Sequence, residues 1–178
     1  MRLFVALELP WVLRERLSLM AGSRIPGARW VSPENYHLTL RFIGETPAHR
    51  AEDIDLGLSA IRARGFSLTL AGVGAFTKGG RVNSLWVGVE RNPLLDHLRN
   101  KIKTALQRVG LDPERQRFTP HITLARLDHA MEDRLAGFVQ ANNLFRAEPI
   151  AVDHFTLFSS QPGKEQPVYT AEMEYALG

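Results

Sequence analysis

Two four-residue frames, His37-Leu38-Thr39-Leu40 and His121-Ile122-Thr123-Leu124, repeat one pattern 84 residues apart (121 − 37), close to half of a 178-residue chain. The segments around them repeat too. Residues 2–8 alternate apolar groups and read as a strand. Pro10 then opens a helical stretch to about Met20, with Trp11, Leu13, Leu17 and Met20 at near-helical spacing. "YHLTLRFIG" reads as a strand, Pro47 begins a helix with Ala51, Ile54, Leu58 and Ile61, and "FSLTLAGVG" follows as a strand. The order then recurs: a strand at 83–89, a helix from Pro93 ended by Gly110, the strand "HITLAR", a shorter helix near 131–140, and the strand "IAVDHFTLF" at 150–158. The pattern predicts an α+β fold built by internal duplication. Two lobes, each an antiparallel sheet with helices, are expected around a pseudo-twofold axis with a central cleft. The chain is read as one bilobal domain over 1–178, with pseudo-repeats at roughly 1–76 and 83–160. A further C-terminal strand is expected at 165–175, and the Gly-rich, basic stretch 74–83 is the expected link.

In a strand, residues i and i+2 share a face. His37 and Thr39 therefore project together, about 7 Å apart along the backbone, with Leu38 and Leu40 behind them in the core. His121 and Thr123 do the same in front of Ile122 and Leu124. Turned towards one cleft, two imidazoles suit acid–base chemistry on a phosphodiester. One accepts a proton from attacking water and the other gives one to the departing oxygen. The threonine hydroxyls are placed to bind the non-bridging oxygens. None of this requires a metal.

Other features narrow the field. The chain has no cysteine, which excludes disulfides, thiolate metal sites and Cys nucleophiles. Its net charge is only +3, carried largely by Arg, which tilts towards a phosphate-bearing partner without deciding the matter. No stretch approaches the roughly 20 apolar residues of a membrane span, and "MRLFVALELP" is too short for a signal peptide. A cytoplasmic protein is the expectation. "GVGAFTKGG" lacks the ending of a phosphate-binding P-loop, and neither G-x-S-x-G nor H-E-x-x-H occurs.

At the paired frames the sequence resembles the two-histidine phosphoesterase superfamily. "HLTLRFIGE", "FTPHITLAR", the opening "RLFVALELP" and the closing "FTLFSSQPGKEQPVYT" are similar to its RNA 2′,3′-cyclic phosphodiesterase branch, also known as 2′-5′ RNA ligase. The resemblance implies hydrolysis of RNA 2′,3′-cyclic phosphate ends to 2′-phosphomonoesters, with a reversible 2′-5′ ligase activity as a further expectation. It implies His37 as proton donor to the 3′ oxygen and His121 as proton acceptor from water; geometry alone leaves the two roles interchangeable. Thr39 and Thr123 would hold the phosphate. The implied partners are RNA with cyclic phosphate ends, tRNA fragments among the candidates, or cyclic nucleotides. No cofactor, metal or membrane is expected, and a monomer is.

Arg126 matches a basic residue that follows the second motif in that branch. Strict alternation, however, puts Arg126 opposite His121, while Arg41 shares a face with His37 and Thr39. A bulge at Ala125 would reconcile the two, so both arginines are phosphate-binding candidates. Phe42 falls on the core face with Leu38 and Leu40. Trp30, Trp86 and Phe118 are available for base stacking, with packing the better role for Trp86. Lys78, Arg81, Arg115 and Arg117 flank loops where RNA phosphates could lie. His49, His97, His129 and His154 lack a Thr partner, and His49 and His97, near helix starts, read as surface histidines. Two other classes compete: a non-catalytic RNA-binding module that has kept the cleft, and a His-ligated metal hydrolase. Two titratable groups without purpose in a binder argue against the first, and too few ligands against the second.

Overall fold

The computed structural model describes residues 1–22, 25–128 and 132–178; His129 and the first residue of the helix expected near 131–140 lie outside them. Chain order is β1 (Arg2–Glu8), α1 (Trp11–Ser18), β2 (Ala28–Trp30), β3 (His37–Glu45), α2 (Ala48–Ser59), β4 (Phe66–Leu68), β5 (Leu70–Lys78) and β6 (Arg81–Val89). It continues with α3 (Pro93–Arg108), β7 (His121–Leu127), α4 (Glu132–Asn142), β8 (Ile150–Val152), β9 (His154–Gln161) and β10 (Val168–Ala176). Local chemistry explains the longest helix. The Asn92 side chain accepts hydrogen bonds from the backbone N–H of Leu94 and Leu95, and Pro93 fits the first turn. Leu95, Leu98, Ile102 and Leu106 then form one buried stripe, and Gly110 leaves the helix at φ +93°.

Two antiparallel four-stranded sheets make the lobes, ordered β10-β9-β1-β3 and β2-β7-β6-β5. Neither lobe is a continuous half of the chain. Each repeat begins with a strand paired to its own His-x-Thr strand, β1 with β3 and β6 with β7. The closing strand of each repeat crosses over: β5 pairs with β6, and β9 pairs with β1. The two short strands that precede these crossings, β4 and β8, pair with each other. The runs 66–74 and 150–158, each read as one strand, thus break at matching places, after Leu68 and after Val152. This exchange welds the lobes through one continuous core that includes Leu7, Leu38, Leu85, Ile122 and Phe155.

Two expectations are corrected here. The stretch 74–83 is not a link between lobes but most of a β-hairpin, in which Lys78 pairs with Arg81. Gly79 and Gly80, both at positive φ, form its two-residue turn, the geometry that matches the twist of paired strands. Trp11 does not join Leu13 and Leu17 in the core; it is 56% exposed, with the Arg14 guanidinium 4.9 Å above its ring. No described helix is long and apolar enough to cross a membrane.

Candidate active site

The motif strands β3 and β7 carry the same irregularity at the same place. Along β3, Ala6 pairs with Thr39 and Val5 with Arg41, so Leu40 is an extra residue. Along β7, Trp86 pairs with Thr123 and Leu85 with Ala125, so Leu124 is extra. At each bulge two successive residues turn inward, Leu40 with Arg41 and Leu124 with Ala125. Alternation restarts one step late. Arg126 therefore joins His121 and Thr123 on the cleft face, and Phe42 joins His37 and Thr39.

The same slip removes Arg41, which had been placed beside His37. Arg41 is 8% exposed and does not line the cleft. It donates to the Asp112 carbonyl oxygen at 2.6 Å and lies 3.7 Å from the Glu114 carboxylate, which also pairs with the buried Arg99. Its role is to hold the segment that leads into His121. Phe42 is the mirror correction: expected in the core, it is 47% exposed.

His37, Thr39, His121, Thr123 and Arg126 line one cleft of about 430 Å³, together with Arg2, Phe4, Arg29 and Tyr169. Both imidazoles are fixed alike. Nδ1–H of His37 donates to the Asn35 carbonyl oxygen at 2.7 Å, and Nδ1–H of His121 to the Thr119 carbonyl oxygen at 2.6 Å. A carbonyl only accepts, so each Nδ1 carries the proton and each neutral ring keeps a lone pair on Nε2. For His37 that lone pair meets the Thr39 hydroxyl at 2.9 Å.

The two rings differ in surroundings. Phe4 and Tyr169 pack on His37 with ring centres 5.0 and 5.3 Å away. Burial there pushes its pKa down to about 4, with the positive charges of Arg14 and Arg126 and the neighbouring His121 adding to the shift. His121 meets the edge of Phe76 at 4.7 Å. Its pKa is also lowered, by burial first and by Arg126. Both rings are thus neutral near pH 7 in the ligand-free protein.

A family model described as LigT like Phosphoesterase matches the chain twice, over residues 10–86 and 87–169. The chain belongs to that family. Its fold overlays that of E. coli LigT in complex with 3′-AMP at a TM-score of 0.82, with 31% identity, covering 99% of this chain and 97% of the other. An RNA 2′,3′-cyclic phosphodiesterase of Escherichia coli (strain K12) is 32% identical over 180 residues, 99% of this chain and 96% of that protein. One from Geobacillus stearothermophilus is 34% identical over 128 residues, 69% of this chain, and the match spans only 41% of that protein.

In this LigT-like phosphoesterase the remaining candidates fall outside the cleft wall. Trp30 packs against Phe138, Trp86 against Phe76, and Phe118 under Arg99. Lys78 and Arg81 border a shallow surface hollow with Asp128, and Arg115 and Arg117 are exposed. His49 and His97 are exposed as well. His154 is not an ordinary surface residue. It is half-buried between Asp153 at 2.6 Å and Glu8 at 3.4 Å. Burial pulls its pKa down, but these acidic hydrogen bonds outweigh it and leave the pKa raised. Glu8, His154 and Glu174 place one potential cation ligand each within 4.8 Å of one another, and none of the three lines the cleft. Sequence reasoning missed Arg2, Phe4, Arg29 and Tyr169, because alternation within one strand says nothing about which neighbouring strands share its cleft.

Proposed function

We propose that the protein opens 2′,3′-cyclic phosphate ends of RNA to 2′-phosphomonoesters, in the cytoplasm, as a monomer and without a metal. Water attacks phosphorus, its proton passes to Nε2 of His121, the bond from phosphorus to the 3′ oxygen breaks, and Nε2–H of His37 protonates that oxygen. Thr39, Thr123 and the exposed Arg126 hold the non-bridging oxygens as charge builds on them. Replacing water with the 5′-hydroxyl of another RNA, with the same bond breaking, yields a 2′-5′ linkage and accounts for a reversible ligase activity.

One observation carries the reading: two imidazoles in a common cleft, each with Nδ1–H tied to a backbone carbonyl and a lone pair on Nε2, which in His37 also accepts from the Thr39 hydroxyl. His121, whose Nε2 has no hydrogen bond to Thr123 matching that of His37 to Thr39, is the readier base. His37, its pKa pushed down to about 4 by burial, must gain its proton with the anionic phosphate, whose charge opposes that burial. The names of the relatives support the substrate class. The test is incubation with RNA ending in a 2′,3′-cyclic phosphate, with and without EDTA, followed by identification of the product isomer. A 2′-phosphate formed at the same rate in both is expected. A 3′-phosphate would reverse the bond that breaks, and binding without turnover would leave an RNA-binding module.

A further inference from the structure

We propose that Gln166 and Asn35 are positioning residues for His37: through the loop between β9 and β10 they hold the backbone carbonyl that fixes its ring. The inference rests on the cyclic phosphodiesterase reading, in which His37 gives its proton to the departing oxygen. A proton donor must present Nε2–H within hydrogen-bond reach of that oxygen. The direction of Nε2 is set at the far side of the ring, where Nδ1–H donates to the Asn35 carbonyl oxygen at 2.7 Å. Where that carbonyl points depends on what anchors residue 35.

Asn35 ends a single helical turn, Pro33–Asn35, and its N–H donates to the Ser32 carbonyl oxygen at 2.8 Å. The residue is only 9% exposed, so its side-chain amide needs a partner. Nδ2–H finds one in the Pro167 carbonyl oxygen at 3.0 Å. Pro167 closes the loop 162–167 of the His37 lobe, and the residue before it ties that loop to the other lobe. Gln166 Nε2–H donates to the Trp30 carbonyl oxygen at 3.1 Å, and its Oε1 accepts from the Ser32 N–H at 3.4 Å. These two groups flank Val31, whose own N–H donates to the Leu124 carbonyl oxygen on β7. Because β2 is the edge of its sheet, the Gln166 amide pairs with the free side of this chain as a neighbouring strand would. The loop is shaped for that reach: a Cβ at Gly163 would collide with the Gln166 carbonyl oxygen. Both side chains border the cleft, each with its amide bonded to backbone. A chain of contacts thus runs from β2 through Gln166, Pro167 and Asn35 to Nδ1 of His37. His121 is served differently. Its carbonyl, on Thr119, follows a segment tied down by Arg41 and Arg99 through Asp112 and Glu114. A defect in the loop should therefore reach one histidine and spare the other.

The experiment joins kinetics to nitrogen-15 NMR of the imidazoles, with His37→Gln and His121→Gln assigning the two rings. Gln166→Ala and Asn35→Ala should each lower kcat for adenosine 2′,3′-cyclic phosphate about 10- to 100-fold, as expected when a reacting group shifts by about 1 Å, with KM changed less than about twofold. Gln166→Met, which keeps the bulk of the side chain and can make neither hydrogen bond, should match Gln166→Ala. At pH 7 to 8 the wild-type His37 should show the Nδ1–H tautomer, and both alanine variants a mixture of tautomers, while His121 keeps Nδ1–H throughout. An unchanged His37 tautomer overturns the proposal whatever kcat does. Equal disturbance of both rings overturns it too, because that marks general loosening. A KM rise at unchanged kcat would make the two amides substrate contacts instead. If the wild-type protein leaves the ester unopened, the phosphodiesterase reading fails by itself, and the His37 tautomer still decides whether the loop holds the ring.

Discussion

Residues 42 and 126 occupy one place in two copies of the same strand, two residues past the bulge, and one lobe puts phenylalanine there while the other puts arginine. Duplication supplied two equal imidazoles; divergence around them made the lobes unequal. The His37 ring lies in an aromatic nest of Phe4, Phe158 and Tyr169, which removes water and holds it neutral. His121 has Phe76 at its edge and the exposed cation Arg126 on its own strand. The strand setting differs too: β3 is the edge of its sheet, whereas β7 is covered by β2. A symmetric pair of proton carriers becomes a directional one when one side is dry and aromatic and the other is wetter and positively charged.

The comparison fails at once if either imidazole is dispensable. His37→Ala and His121→Ala should each lower kcat/KM for cyclic-phosphate RNA ends by about 10²–10⁴-fold. Near-normal turnover by either variant, measured beside circular dichroism to confirm folding, would end the two-histidine mechanism.

Unequal burial should be visible in stability. The His37 pKa is near 4 in the folded protein and about 6.5 in the unfolded chain, so the unfolded state binds the extra proton between those values. Its burial therefore costs nothing above about pH 6.5, and stability falls as pH drops towards 4, by up to about 3 kcal/mol. Urea titrations from pH 7 to pH 4 should show this wedge in the wild type and lose it in His37→Gln. His121→Gln should remove a smaller one. Equal wedges would mean that the two sites are equally dry.

Arg126 sharpens the contrast at the matched positions. Arg126→Phe, which makes the second lobe copy the first, should lower kcat/KM about 10²-fold by withdrawing a charge from the developing phosphate oxyanion. Arg126→Lys should recover part of it in steady-state kinetics. The smallest effect is expected at Gly74, which has no Cβ so that Trp86 can lie over it. Gly74→Ala should cost about 1–2 kcal/mol in thermal unfolding by forcing the indole and Phe76 to repack. A neutral result would show that this aromatic wall is loosely held.

Much of this was readable in the residues. The spacing of the two frames exposed the duplication, because a strand that must present imidazole and hydroxyl together needs them two residues apart, with apolar residues between. Pro10, Pro47 and Pro93 marked helix starts through the fixed φ of proline. Local pattern failed where a neighbour decided the outcome. Alternation gave the wrong face to Arg41 and Phe42, since the bulge is a property of the pairing between β3 and β1. It also read a link where Gly79 and Gly80 fold a hairpin, because the partner that turns 74–83 into strand lies on the far side of the turn.

The sequence by itself determined the duplicated α+β elements and the four groups His37, Thr39, His121 and Thr123, all of which depend on spacing along a single strand. Only the tertiary structure decided that the closing strands exchange lobes, that Arg126 rather than Arg41 lines the cleft, and that Phe42 stands open in it. Those outcomes depend on register between strands far apart in the chain, where one extra residue turns a side chain from solvent to core.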